Sequence, residues 1–281
     1  MYKKAFLTPN PNYDEAMLLY LFAALKRLAE ILEKSEDAKL WQETLLKLRL
    51  LAVNENHVLR IARDEDLTES HRHQSHTMSI HPLRLLDYSK KEDARIIDAT
   101  IAHAEKLGSK PYTGYSIAWI GEFYAVAKNG DKALEKLETF WKYFCSENTF
   151  HLNGDYTKQG YLSMHYRPFT LEGNFCAQDV LQELLLYSEN SVLELFPAVP
   201  QKWQEVSFET LRACGGVLVS AERKNGKLFS AKFTAQANAS FLFRGNFSDC
   251  TVTGGKTETT SNGIFCTMQK GESVYLQRYE A

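Results

Sequence analysis

Phe196-Pro-Ala-Val-Pro200 divides this sequence into two unlike halves. Its two prolines disfavour helix on either side, so a linker is expected here, near the boundary between a domain over 1–190 and another over 191–281. Downstream, Val206-Ser-Phe-Glu-Thr-Leu211, Gly216-Val-Leu-Val-Ser-Ala-Glu222, Leu228-Phe-Ser-Ala-Lys-Phe233 and Ser240-Phe-Leu-Phe243 alternate or are β-rich. Gly and Asn turns separate them, and Gly254-Gly255 and Asn262-Gly263 predict hairpins in the tail from Cys250 to Arg278. A small antiparallel β-sandwich domain is the expected result.

Upstream the period is helical. From Asp14 to about Lys34, Leu18, Leu21, Phe22, Leu25, Leu28, Ile31 and Leu32 recur on one face, with Asp14 and Asn12 placed to cap the first turn. A second helix is expected to about Leu51. Others run from Lys91 to Leu107, from Gly114 to Lys128, from Asp131 to Phe144 with Leu134, Leu137, Trp141 and Phe144 on one stripe, and from Ala177 to Tyr187. Residues 1–190 therefore read as a mainly α domain. Its successive helix pairs suit an (α/α) barrel or a plain bundle, and periodicity does not choose between them.

Composition narrows the function classes. The 33 basic and 35 acidic residues leave a net charge of −2, and no Lys/Arg block is long enough to track a phosphate backbone, so nucleic acid is not an expected partner. No run reaches the ~18 apolar residues of a membrane span. The stretch from Met1 to Asn10 has two positive charges without a long apolar core behind them, which points to no export and a cytoplasmic setting. Five scattered cysteines without a CxxC pair suggest neither a disulfide framework nor a zinc site.

Two polar segments interrupt the helices, from His57 to Asp87 and from Ser146 to Phe175, and long structured loops in a helical domain are usually functional. The first holds Glu69-Ser-His-Arg-His-Gln-Ser-His76 and then His81, four histidines within eleven residues. Metal ligation by Glu69, His71, His73 and His76 is conceivable by residue type. The spacing is not HExxH, however, and Arg72 would repel a cation, so no metal is expected. Capping of helix ends and recognition of sugar hydroxyls both remain open, since His and Arg offer donors and acceptors in fixed directions. The second segment ends in Tyr166-Arg-Pro-Phe-Thr-Leu-Glu-Gly-Asn-Phe175, where Glu172 stands just ahead of a helix expected from near Cys176. There it either caps the helix or serves as part of a base. Asn153-Gly-Asp155 adds polar groups or a simple turn.

These segments resemble glycoside hydrolase family 95. His71-Arg-His-Gln-Ser-His76 is similar to the family's HRHxSH stretch, and Thr113-Gly-Tyr-Ser-Ile-Ala-Trp119 to its TGWSxAW helix start. Pro168-Phe-Thr-Leu-Glu-Gly-Asn-Phe175 resembles PFQIDGNFG, and Leu195-Phe-Pro-Ala-Val-Pro-Gln-Lys-Trp203 resembles LLPALPxxW. The resemblance implies inverting cleavage of α-L-fucosides or L-galactosides in an oligosaccharide or glycoconjugate, without a cofactor. It also implies a partial (α/α)6 barrel followed by the C-terminal β-domain. Glu172 takes the place of the family's catalytic aspartate, which polarises a water-activating asparagine. His71, Arg72, His73, His76, Trp119 and Asn174 become the expected substrate contacts.

The family's asparagine segment has no counterpart in this sequence. Its acid position falls in Val58-Leu-Arg-Ile61, where Arg60 stands, leaving Glu65 and Glu69, with Asp64, as candidate acids. The isolated chain is therefore expected to be catalytically incomplete, the alternative being a non-catalytic carbohydrate-binding or structural module. A barrel cut in this way should also expose a helical edge open to self-association.

Overall fold

Helix α1 (Asn12–Ile31) begins directly after Pro11, whose fixed backbone suits a helix start. The computed structural model describes residues 8–279; Met1–Leu7, part of the stretch read for a leader, lie outside the described residues. Asn12 does not cap α1 as expected. Its buried amide instead donates to the carbonyls of Ala52 and Arg60, each at 2.8 Å, and accepts from Ala52 N–H at 2.7 Å. The side chain thus pins the long loop that follows α2 (Ser35–Leu45), which ends short of the expected Leu51.

The middle helices follow the period closely. Helix α3 (Lys91–Leu107) has the expected bounds and stops at Gly108, whose φ of 81° a side-chain-bearing residue rarely adopts. Helix α4 (Gly114–Val126) is closed at its start by a capping box, in which Ser116 Oγ accepts from Thr113 N–H at 3.1 Å. Helix α5 (Gly130–Phe144) buries Leu134, Leu137, Phe140 and Phe144, while Trp141 is exposed rather than on the buried stripe. Helix α6 (Leu171–Leu185) starts well before the expected Ala177, which puts Glu172 inside its first turn.

Ten strands follow. A short hairpin of β1 (Leu186–Glu189) and β2 (Val192–Leu195) precedes the proline segment and turns through Asn190 and Ser191, both at positive φ. The others are β3 (Val206–Ala213), β4 (Val217–Lys224), β5 (Lys227–Ala235), β6 (Ala239–Arg244), β7 (Cys250–Thr253), β8 (Lys256–Thr260), β9 (Gly263–Met268) and β10 (Ser273–Arg278). They form two sheets in the orders β1-β2-β6-β9-β8 and β3-β4-β5-β10-β7, antiparallel throughout except where β2 runs parallel to β6. The inward residues Val219, Phe233, Phe243, Met268 and Val274 fill the space between them. The result is a β-sandwich following a mainly helical domain.

The chain forms two compact units. One runs through Ala127 and resumes over Lys136–Ala177; the other combines Lys128–Glu135 with the chain from Gln178 onward. The first has its own core around Leu59, Ile80, Ile97, Phe123 and Phe140. In the second, the proline segment is no free linker, because it packs on the start of α5. A side chain at Gly130 would collide with the Ala198 carbonyl, and Gln201 N–H donates to Asp131 at 2.9 Å.

Candidate active site

The first turn of α4 is where the two polar segments meet. Ser116 Oγ, already held by the capping box, donates to the Arg72 carbonyl at 2.7 Å and so ties the His-rich stretch to the helix. From the other side comes the loop before α6. Its His151 ring is fully buried, stacks on Phe140 at 5.1 Å and lies between Gly114 and Gly173. A methyl group added at Gly114 would stand 2.5 Å from Nε2, and one at Gly173 2.3 Å from Nδ1. The two motif glycines are therefore a matter of packing rather than of backbone freedom.

Hydrogen bonds fix the same ring. His151 Nδ1 lies 2.8 Å from both the carbonyl and the hydroxyl of Thr170, which makes it the protonated nitrogen of a neutral imidazole. Burial lowers the His151 pKa, opposed by the Thr170 carbonyl and the charge of Glu172. Nε2 is buried without a hydrogen-bond partner among the described residues. Asn174 completes the clamp: its Oδ1 accepts from His151 N–H at 2.8 Å and its Nδ2 donates to the Thr149 carbonyl at 2.9 Å. Both ends of this expected substrate contact are thus engaged with backbone. Asp155 is no simple turn residue either, since its carboxylate accepts from the N–H groups of Gln159 and Tyr161 and organises the loop around them.

Glu172 is exposed in the first turn of α6, where unpaired backbone N–H groups favour a negative charge. Tyr115 stands nearby on α4. Burial pushes the Tyr115 hydroxyl up to about 12, helped by Cys176, Glu172 and Glu122, so it remains a neutral hydrogen-bonding group. Trp119 and Glu122 continue the stripe from Tyr115 at helical spacing. Trp119 packs on Tyr115 at 5.4 Å and edge-on to His81 at 6.1 Å. Its indole N–H is buried without a hydrogen-bond partner among the described residues. Glu122 is wholly buried, with His81 Nδ1 and an Arg84 nitrogen each at 3.6 Å. Burial and the charge of Arg84 push His81 down to about 3.

In the His-rich stretch the roles divide. Arg72 and His73 are exposed, and His71 Nδ1 accepts from His73 N–H at 3.1 Å with the two rings edge to face at 5.1 Å. His76 is buried; loss of water, with the charges of His103 and His71, pushes it down to about 4. Glu69 is exposed, and Glu65 accepts from the Thr8 hydroxyl at 2.8 Å. Arg60 is ion-paired with Asp66 at 3.0 Å.

Sequence reading missed His151, Tyr115, Glu122 and Arg84. A signal existed for Glu122, a lone charge in the apolar run Ile117–Val126. The need for two glycines around His151 becomes visible only when three distant segments are brought together.

Comparison with known proteins identifies the family. The model of the glycosyl hydrolase family 95 catalytic domain matches residues 2–185, and that of the glycoside hydrolase family 95 C-terminal domain matches residues 187–275. No curated protein matches the chain. With both family models aligned across the helical part and the sandwich, this chain belongs to glycoside hydrolase family 95.

Proposed function

We propose that this chain supplies the sugar-recognising and water-orienting side of an inverting site for α-L-fucosides or related L-sugars. The observation that carries the reading is the gathering of Arg72, Tyr115 and the loop leading to Glu172 around the first turn of α4. An inverting hydrolysis needs an acid at the leaving oxygen and a base that activates water on the opposite face of the sugar. Glu172 would fit the second role by polarising an amide, but the family's asparagine segment that supplies it has no counterpart in this sequence. His71, Arg72 and His73 suit the recognition of hydroxyl groups, and Trp119 offers a half-buried ring whose indole N–H is itself buried.

The acid is the second weak part of this site. Arg60, at the family's acid position, cannot give up a proton at neutral pH and is already held by Asp66. Glu65 and Glu69, with Asp64, are the carboxyl groups left for that role. This favours a second reading, in which the chain binds sugar without turning it over.

The test is calorimetric titration with L-fucose beside assays on aryl α-L-fucosides and α-L-galactosides. Saturable binding, weakened at least about tenfold by Arg72→Ala or His73→Ala, with negligible turnover, is the expected result. Robust turnover abolished by Glu172→Gln would reveal a complete enzyme. Absence of any binding would remove the sugar site.

A further inference from the structure

The sandwich carries a cleft that the site described above does not use. It lies where the loop after β6 faces the β8–β9 hairpin and has a volume of about 650 Å³. That falls within the roughly 300–1,000 Å³ usual for small-molecule sites. Its floor is apolar, made by the buried Cys250 and Ile264 with the half-buried Phe247, which stacks on Phe243 at 4.2 Å. Its rim is polar and uncharged: Asn246 and Ser248 on one side, Ser261 and Asn262 on the other. Among the described residues no carboxylate lines it, and the charge of the one cation among them, Arg244, is answered by Glu194 at 2.7 Å.

The rim is pre-shaped. Gly245 N–H donates to the Asn262 carbonyl at 3.2 Å and joins the two loops. Asn246 Oδ1 accepts from Ser248 N–H at 3.1 Å, while Thr260 Oγ1 donates to the Gly263 carbonyl at 3.0 Å and accepts from Asn262 N–H at 3.3 Å. These bonds use backbone groups, the Asn246 side-chain oxygen and the Thr260 hydroxyl. Among the described residues, the Ser248 and Ser261 hydroxyls and the Asn262 amide have no protein partner, and neither does the Asn246 NH₂ group.

From this arrangement we propose that the cleft is a second carbohydrate site, taking a neutral saccharide. Such a ligand presents apolar C–H faces to a floor of this kind and hydroxyl groups to a rim of amides and hydroxyls. Among the described residues, an anion would find no uncompensated cation here, and a cation no carboxylate. The site is separate in sequence from Glu172 and needs no catalysis, so it stands or falls independently of the proposed function.

The test titrates the 281-residue chain with lactose and maltotriose as neutral probes and 3′-sialyllactose as a charged one. Neutral probes should bind, and the doubly substituted Asn246→Ala/Asn262→Ala chain should bind at least about tenfold more weakly while melting at an unchanged temperature. Glu172→Gln should leave this binding intact. No binding of either neutral probe at tens of millimolar overturns the proposal. Unchanged binding by the double variant does so too, as does equal loss in Glu172→Gln. Should the double variant melt early, Ser261→Trp, placed at the rim to fill the cleft, must abolish binding, and continued binding rejects the site.

Discussion

The absence of a side chain at Gly173 lets the His151 ring lie against the first turn of α6. In an ordinary helix Gly→Ala gains up to about 1 kcal/mol. Here the added carbon would stand 2.3 Å from a buried ring atom that has Phe140 behind it, so overpacking, which costs about 1–3 kcal/mol, decides the sign. Gly173→Ala and Gly114→Ala are each expected to lower the denaturant midpoint. Adding His151→Ala to Gly173→Ala should cost less than the sum of the two, because the clash partner is gone; strict additivity would contradict the wedge. Protonation gives a second expectation. His76 is held near 4 in the fold against about 6.5 unfolded, so the unfolded chain binds the extra proton first. Its contribution to stability falls as pH drops below about 6.5, by about 2 kcal/mol at pH 5, and levels off near 4. Urea unfolding at pH 7 and pH 5 should show this loss in the native chain and a smaller one in His76→Gln.

Among the elements, α1 is the most conspicuous, because its apolar face is largely uncovered. Leu21, Leu28, Ile31 and Leu32 are exposed, as are Leu40 on α2 and Leu46 just after it, while Phe22 against Trp41 holds the hairpin together. Reburying such a face returns about 25 cal/mol for each Å². A second copy of the chain meeting this edge is the expected consequence. Sedimentation at micromolar concentration should detect it, and Leu28→Glu with Leu32→Glu should restore a monomer; a native chain that is already monomeric rejects it. The same elements show what was legible in advance. Helix α3 is bounded by a strong period and a glycine stop, and its limits could be read directly. The start of α6 could not, because Thr170-Leu-Glu-Gly-Asn lacks a helical period and is held in place by His151 and Asn174. The β1–β2 hairpin was invisible for a related reason: its four-residue strands join a sheet only because β2 pairs with β6, which is distant in sequence. The motif stretches themselves were readable, but not that Asn174 bonds to backbone and His76 is buried while Arg72 and His73 are exposed.

At the scale of the molecule, the chain crosses between its two units within α5, so a short piece from the helical half serves the sandwich unit. Lys128 donates to Glu194 on β2 at 2.6 Å, and Arg244 on β6 donates to the other oxygen of the same carboxylate at 2.7 Å. Glu194 is buried, so losing one of its two cations leaves part of a desolvated charge unanswered. Lys128 is itself over a third exposed, and water can replace some of what it supplies. The loss in Lys128→Met is therefore expected at about 1–2 kcal/mol, in the range of a single hydrogen bond to a charged group. It should be local. Amide exchange should quicken in β2 and β6, whose parallel pairing this carboxylate braces, and stay unchanged in α3 and α4, which belong to the other unit. Equal acceleration in α3 would show that the two cores open together and that the Lys128 contact braces more than the sandwich.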